Sequence, residues 1–167
     1  MIAVKKAGPE NIPTIQELAQ ASWAVAYASI ITPGQLTYML DLFYSNNSLQ
    51  EQMQKGHQFI IAWEEGTAMG FASYSPKSDE EPLVYRLHKI YVDPDQQGKG
   101  IGKYLFDFII ADIRPAAATH LELNVNRFNK ALGFYQKSGF VIVREEDIDI
   151  GNGYFMNDYV LQLNLGS

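Results

Sequence analysis

The sequence predicts one α/β domain over residues 1–167, built on a mixed β-sheet with helices packed beside it. Two observations favour this fold class. Short segments alternate apolar and polar residues as strands do, for example "IAVKKA" at 2–7 and "THLELNVN" at 119–126. Other segments, for example 9–27, repeat apolar residues at the spacing of an amphipathic helix. Strand and helix segments are interleaved along the chain, which is typical of α/β domains.

The first third of the chain predicts a strand followed by helices. The strand at 2–7 precedes a helix within 9–27. A second helix begins at Thr32 and Pro33, because threonine is a good N-cap and proline suits the first helical position. A short helix follows from Ser48 and ends at Gly56.

The middle of the chain predicts three strands and a helix. "HQFIIAWEEGTAMGFASYSP" contains two strands that turn at Glu65 and Gly66. A long strand at 83–93 has few turn residues, and a helix extends from about Gly100 to Ile113.

The last third predicts a strand, a helix and a hairpin. The strand at 119–126 places Leu121, Leu123 and Val125 on one face. A helix at 127–139 ends at a glycine, and "GNG" joins two final strands in a hairpin. The predicted order is β-α-α-β-β-β-α-β-α-β-β.

Composition excludes several classes of protein. The net charge of −6 argues against a nucleic-acid-binding protein, which normally has a basic face. The absence of cysteine excludes disulfides, thiolate metal sites and a cysteine-bound acyl intermediate, and we expect no metal cofactor. No signal peptide or membrane-spanning apolar run is present, so we expect a cytoplasmic protein without a membrane or nucleic-acid partner.

The stretch "YVDPDQQGKGIGKYLFDFI" (91–109) combines a strand end, three glycines and a helix start. Gly98, Gly100 and Gly102 let a ligand approach the backbone, and a helix N-terminus attracts anions, so this stretch indicates a phosphate site. It matches neither known phosphate loop tested. Lys103 is followed by Tyr104 where a nucleoside-triphosphate loop needs Ser or Thr, and the glycine spacing differs from that of a dinucleotide loop.

Basic residues near this stretch favour a ligand with several phosphates. Lys99 and Lys103 lie in the loop, and Arg127, Lys130 and Lys137 lie around the later helix. Both segments follow strands at their C-terminal ends, where α/β sheets usually bind ligands. Solvated surface lysines remain the alternative interpretation for each residue.

Two motifs resemble the GNAT acyltransferase superfamily. Gln97, Gly100 and Gly102 match its Q/R-x-x-G-x-G/A motif between a strand and a helix. "NVNRFNKALGFYQKSGF" (124–140) resembles the second conserved segment, although its Asn129 stands two residues before the alanine and Asn126 five. The order of elements also matches, so the resemblance covers nearly the whole chain. The last strands further resemble bacterial spermidine/spermine-type acetyltransferases.

This resemblance implies a mostly antiparallel sheet and acetyl-CoA as the acetyl donor. It implies that loop amides bind the pyrophosphate and that the strand before the loop diverges from its neighbour, leaving a slot for the thioester. The cofactor-contacting residues that it implies are Tyr91, Val92, Gln97, Gly98, Lys99, Gly100, Ile101, Gly102, Lys103, Asn129 and Lys137.

Transfer of acetyl to an amine needs an acid for the thiolate, a donor for the oxyanion and a way to deprotonate the amine. Tyr135 matches the helix tyrosine of the family and is our candidate acid, and a backbone N–H near Tyr91 or Val92 is the candidate oxyanion donor. His88 is the candidate base, since regular alternation would place Arg86, His88, Ile90 and Val92 on one face. Glu122, Glu80, Glu81 or a water chain are alternatives. Without cysteine, direct transfer is expected.

The acceptor pocket is expected at residues 21–40 and at the final hairpin. Its candidate residues are Trp23, Tyr27 and Tyr154, with Tyr38 beside them; core packing is the competing interpretation for each. Acidic residues near the hairpin are consistent with a cationic amine: Glu145, Glu146, Asp147 and Asp149.

The leading hypothesis is an acetyl-CoA-dependent N-acetyltransferase that acts on a small amine or polyamine. The alternatives are acetylation of protein N-termini or lysines, and a non-catalytic module that senses acetyl-CoA. We also expect a homodimer, because the final strand at 154–165 is apolar and long for a sheet edge.

Overall fold

The computed structural model of the protein describes residues 1–166. Its strands and helices follow the predicted alternation closely. They are β1 (Ile2–Ala7), α1 (Ile12–Ala26), α2 (Pro33–Tyr44), α3 (Asn46–Gln54), β2 (Gln58–Glu64), β3 (Thr67–Pro76), β4 (Val84–Val92), α4 (Ile101–Ile113), β5 (His120–Asn126), α5 (Leu132–Lys137), β6 (Val141–Gly151) and β7 (Tyr154–Asn164).

The strands form one seven-stranded sheet in the order β1-β2-β3-β4-β5-β7-β6. Every neighbouring pair is antiparallel except β4 and β5, which are parallel and connected through α4. This arrangement confirms the predicted mixed, mostly antiparallel sheet. A parallel pair requires a crossover, and a helix is its usual form.

The sheet is covered on both faces by separate apolar cores. On one face, α4 packs through Leu105 and Ile109 against Leu121 and Leu123 of β5, as the alternation of that strand predicts. On the other face, α1, α2 and α3 pack over β2, β3 and β4, with Phe71 at the centre of the layer. Among residues 1–166, no helix is both long and apolar enough to cross a membrane.

Two helices differ from the prediction. Three helices follow β1, as the predicted segments indicated, although the predicted order of elements shows only two there. The third helix begins at Asn46, two residues before the predicted start at Ser48. Ser45 is its N-cap, and the Ser45 hydroxyl accepts a hydrogen bond from the Ser48 N–H at 3.2 Å. The helix predicted at 127–139 covers only Leu132–Lys137.

The final strand is not at the edge of the sheet, contrary to the expectation on which the homodimer was based. β7 lies between β5 and β6, and β6 forms the edge. The sequence order of a hairpin does not determine which of its strands joins the existing sheet, so the error is one of topology.

Candidate active site

A cavity of about 640 Å³ opens where β4 and β5 diverge. The two strands pair only from Val84 to Leu87 and from His120 to Leu123. Beyond these residues, β4 continues beside β3 alone, so part of its backbone faces the cavity without a strand partner. The slot that the sequence resemblance implied is therefore present, and its volume is typical of a small-molecule site.

The glycine loop and the first turn of α4 form one wall of the cavity. Gly98 and Gly100 have φ values of +86° and +73°, and Gly100 is the N-cap of α4 in a left-handed conformation. A Cβ at Gly100 would have no protein atom within 4 Å, so the space above this backbone is open to a ligand. The first N–H groups of α4 have no acceptor within the helix, and they lie at the positive end of its dipole. This geometry fits a bound phosphate.

Of the predicted cofactor residues, Tyr91, Val92, Gln97, Gly98, Gly100, Gly102, Lys103 and Asn129 line the cavity. Three do not. Lys99 bonds with Glu64 and Gln96, at 3.5 Å and 2.8 Å. The Ile101 side chain is buried in the core, and Lys137 lies outside the wall.

The asparagines near α5 can now be distinguished. Asn129 lines the cavity, and its side-chain oxygen accepts a hydrogen bond from the Ala131 N–H at 2.9 Å. Asn126 accepts a similar bond from the Phe128 N–H but is not part of the wall. These local bonds hold the turn before α5, which is why the helix begins late. Lys130 also lines the cavity, whereas Arg127 pairs with Asp147 at 2.9 Å.

Three tyrosines from different elements meet at the cavity: Tyr27 of α1, Tyr91 of β4 and Tyr135 of α5. The hydroxyls of Tyr27 and Tyr91 lie 3.2 Å apart. Burial is the main cause that raises the pKa of all three, so each hydroxyl keeps its proton at neutral pH. Tyr135 can therefore donate a proton but is unsuited to accept one.

His88 lies in the cavity wall, but not on the predicted face of β4. A bulge between β3 and β4 leaves His88 without a partner residue on β3, so Leu87 and Ile90, three residues apart, pack in the same core. His88 bonds with the Ser75 hydroxyl at 2.7 Å. Burial, together with the charges of neighbouring basic groups, lowers the pKa of His88 to about 3. Its ring is neutral at pH 7.

The other candidate bases lie outside the cavity wall. Glu122 is fully buried and accepts hydrogen bonds from Arg86 at 2.7 Å and Gln162 at 2.8 Å. Burial opposes its ionisation, but these bonds and the charges of Arg86 and Lys77 outweigh burial and lower the pKa of Glu122. Its carboxylate therefore holds strands together. Glu80 and Glu81 are exposed between β3 and β4.

Two of the three predicted acceptor residues are also outside the wall. Trp23 is buried beneath it, where its ring packs 4.8 Å from that of Tyr27 and 5.6 Å from that of Tyr91. Tyr154 packs instead against Tyr38, with ring centroids 5.4 Å apart. An aromatic residue on α1 faces either the core or the cavity depending on helix rotation, which spacing does not resolve.

Sequence reasoning missed Lys89, which lies between His88 and Ile90 on the cavity wall. Its ammonium donates a hydrogen bond to the Gln52 side-chain oxygen at 2.9 Å and lies 5.2 Å from the centre of the Tyr44 ring. Burial lowers the pKa of Lys89 to about 8. A lysine that is largely buried within a strand is unusual, but β4 also contains Arg86 and His88, so the sequence did not single out Lys89.

Comparison with known proteins places the chain in a family. The family model described as "Acetyltransferase (GNAT) domain" matches residues 29–161. The L-amino acid N-acyltransferase MnaT of Escherichia coli is 28% identical over 92 residues, which span 54% of this chain and 54% of that relative. The spermidine N(1)-acetyltransferase of Thermoplasma acidophilum is 26% identical over 161 residues, which span 93% of this chain and 95% of that relative.

The fold has a close counterpart among solved structures. The PaiA N-acetyltransferase of Thermoplasma acidophilum, in complex with coenzyme A, superposes with a TM-score of 0.82 at 24% identity. The superposition covers 98% of this chain and 99% of that one, so the sheet and all its helices share one architecture with the solved structure.

Proposed function

The chain belongs to the GNAT acetyltransferase family, and we propose that it transfers acetyl from acetyl-CoA directly to a primary amine of a small molecule. The observation that carries this proposal is the junction of a phosphate-binding helix start with the gap between β4 and β5. The glycine loop from Gln97 to Gly102 lies at one end of that cavity. The diverging backbone of β4 forms its middle.

The residues at the cavity fit the parts of acetyl-CoA. The open backbone at Gly98 and Gly100 would hold the pyrophosphate on N–H groups of α4. Lys130 and Lys103, which also pairs with Asp107 at 2.8 Å, would supply positive charge for the phosphates. The backbone of β4 beyond Leu87, which pairs with β3 alone, would bond the amides of the pantetheine arm, as an added strand does. Asn129 lies at the mouth of the slot.

Bound acetyl-CoA would supply a thioester: the amine nitrogen bonds to the acetyl carbon, and the C–S bond breaks. Tyr135 is the candidate acid that gives its hydroxyl proton to the departing sulfur, and the proton lost by the newly acylated nitrogen then restores the Tyr135 hydroxyl. Its hydroxyl keeps its proton because burial raises its pKa. An N–H of β4 facing the gap stabilises negative charge on the acetyl oxygen.

We propose that no single side chain deprotonates the amine. A free alkylammonium has a pKa of about 10.4, whereas the pKa of His88 is about 3. Proton transfer to His88 is therefore strongly uphill, and Glu122 is enclosed by basic residues outside the cavity. The cavity is open to solvent, so water can carry the proton away before the amine attacks.

The family alone does not select the acceptor, since one relative is named for L-amino acids and another for spermidine. The acidic residues that favoured a polyamine do not support it here. Glu145, Glu146, Asp147 and Asp149 lie on the edge strand β6 rather than in the cavity wall, although Glu146 accepts a hydrogen bond from the wall residue Asn124 at 3.2 Å. A small amine fits the volume of the cavity.

The proposal is tested by two measurements on the purified protein. Acetyl-CoA, which binds only the folded state, should raise the melting temperature. A panel of small amines should then release free thiol from acetyl-CoA, with an acetylated product of the expected mass. A melting shift without thiol release from any amine would instead favour the acetyl-CoA-sensing module, and no shift would contradict both.

We also propose a cytoplasmic homodimer. β7 is internal and provides no free edge for a second copy. β6 provides an edge of 11 residues that is paired on one side only. Val141, Ile142 and Val143 at its start are exposed apolar residues. A second copy pairing along this edge would cover them and form a two-fold interface.

A further inference from the structure

The charges on the cavity wall have one sign, although the protein is acidic. Within residues 1–166, the charged residues that line the wall are Lys89, Lys103 and Lys130. No aspartate or glutamate lines it, and the nearest carboxylates, those of Glu146 and Asp158, lie behind the wall, where they accept hydrogen bonds from Asn124. The net charge of the chain is −6, so this distribution is opposite to the overall composition. A cationic acceptor such as a polyamine would enter this cavity without a carboxylate to bind it.

Lys103 and Lys130 adjoin the glycine loop and the turn before α5, and they serve the phosphates in the function proposed above. Lys89 is different, because it lies on β4 beside His88 and not on either of these segments. No described residue forms an ion pair with it, and its one hydrogen-bond partner is the neutral Gln52 side chain. Gln52 is itself fixed, since its NH₂ group donates to the Phe43 carbonyl at 2.9 Å.

The surroundings of Lys89 supply hydrogen-bond donors but no negative charge. The Ser73 hydroxyl, on the residue paired with Lys89 across β3, is buried and has no partner among residues 1–166. The Tyr44 hydroxyl, on the ring that the Lys89 ammonium contacts, is also buried and without a partner there. A buried cation whose partners are a neutral amide and aromatic rings has no opposite charge beside it, and an anion bound there would stabilise it.

We propose that the acceptor carries a carboxylate next to its amine, as a free amino acid does, and that Lys89 binds this carboxylate. The proposal rests on the proposed acetyltransferase function and names the acceptor class. Lys89 would hold the acid group while the amine points into the gap between β4 and β5. The pKa of Lys89, about 8, keeps the ammonium charged at neutral pH and supports this role.

Matched acceptor pairs test the proposal. Each pair consists of an amino acid and the amine left when its carboxylate is removed: leucine with 3-methylbutylamine, phenylalanine with phenethylamine, and lysine with cadaverine. An ion-paired hydrogen bond contributes enough to predict a kcat/KM about 10- to 100-fold higher for the preferred amino acid than for its amine. The same amino acid should raise the melting temperature of the CoA-bound protein, and its amine should not.

Variants separate charge recognition from other roles of Lys89. Lys89→Met should remove the preference between the two members of a pair, mainly through KM, while turnover of the amine persists. Lys89→Arg retains the cation and should retain most of the preference, which would be lost if Lys89 acted as a base. Lys55→Met, an exposed lysine at the end of α3, is the matched control.

The outcomes distinguish this inference from the function on which it rests. If the amines, including cadaverine, are acetylated as well as or better than the matching amino acids, carboxylate recognition is overturned. The acetyltransferase function remains intact in that case. An unchanged preference in Lys89→Met overturns the role of Lys89. Turnover of no member of any pair, with no melting shift from amino acids, contradicts the inference, while the wider amine panel still tests the function.

Discussion

The imidazole rings of His57 and His88 are stacked, with centroids 3.9 Å apart and planes inclined by 2°. Burial is the first cause that lowers the pKa of each ring, and the positive charge of Lys89 acts in the same direction. The pair is therefore neutral at pH 7, and protonating either ring in the folded protein is unfavourable. This relationship links the acid stability of the protein to the edge of its candidate active site.

The stacked pair predicts a loss of stability in mild acid. The unfolded chain binds a proton on His88 near pH 6.5, whereas the folded protein does so only near pH 3. Stability should fall as pH decreases through that window, by about 2 kcal/mol between pH 7 and pH 5 for this histidine. Urea unfolding across the range measures it. His88→Gln should reduce the dependence of the unfolding free energy on pH, whereas the control His120→Gln, on β5, should not. An equal dependence on pH in the wild type and both variants would refute the assignment to His88.

Substitution of Gly100 should abolish acetyl-CoA binding. A Cβ at this position projects into open space above the helix start, where the pyrophosphate is proposed to lie. Gly100→Ala should therefore eliminate the melting shift caused by acetyl-CoA. Alanine at positive φ also lowers the stability of the folded protein by about 1 kcal/mol. Gly56→Ala is the control for this cost, because Gly56 has a φ of +96° and open space around it but lies outside the cavity. If Gly100→Ala keeps the full shift, the phosphate site lies elsewhere.

Local sequence chemistry predicted the parts of the site that depend on one segment. Gly98 and Gly100 adopt the left-handed conformations that their spacing before an apolar helix suggested. The strand alternation at 120–126 also predicted the buried face of β5. These features are determined by neighbours in the chain, so pattern reasoning finds them.

Features that depend on the partner of a segment were not predictable in this way. The bulge that turns His88 away from Ile90 arises from the register between β3 and β4. The position of β7 inside the sheet depends on which hairpin strand meets β5. Lys89 is notable only because Gln52 and Tyr44, far away in sequence, enclose it.

The role of Tyr135 is tested by removing its hydroxyl. If this group protonates the departing thiolate, Tyr135→Phe should lower kcat by about 10²- to 10⁴-fold. The melting temperature and acetyl-CoA affinity should change little, because the ring and its packing against Phe106 and Phe140 remain. Tyr104→Phe, an exposed tyrosine of α4, is the control. Wild-type turnover with chemistry rate-limiting would exclude Tyr135 as the acid.

The proposed dimer should depend on the edge strand β6. Sedimentation at micromolar concentration should show a species of twice the 18.8 kDa chain mass. Replacing Val141 and Val143 together by lysine places charges on the edge and should give a monomer. Leu42→Lys, at another exposed apolar residue on α2, should remain dimeric. A wild-type monomer, or a dimer unaffected by the double substitution, would argue against this interface.

Burial of the Lys89 ammonium should reduce the stability of the folded protein. Burial lowers its pKa from 10.5 to about 8, which means that the charged form is less favourable in the folded protein than in the unfolded chain. After allowance for the lost bond to Gln52, Lys89→Met should raise the free energy of unfolding by about 1 to 2 kcal/mol at pH 7. The unfolded chain binds the Lys89 proton more tightly than the folded protein does. The gain in stability of Lys89→Met should therefore be complete below pH 8 and disappear as pH rises to 10.5.

Denaturant unfolding of Lys89→Met and of the control Lys55→Met at pH 7 and at pH 10.5 measures the difference. A residue that costs stability yet supports acceptor binding is characteristic of an active site. If Lys89→Met is instead destabilised at both pH values, Lys89 contributes to packing, and its retention needs no acceptor to explain it.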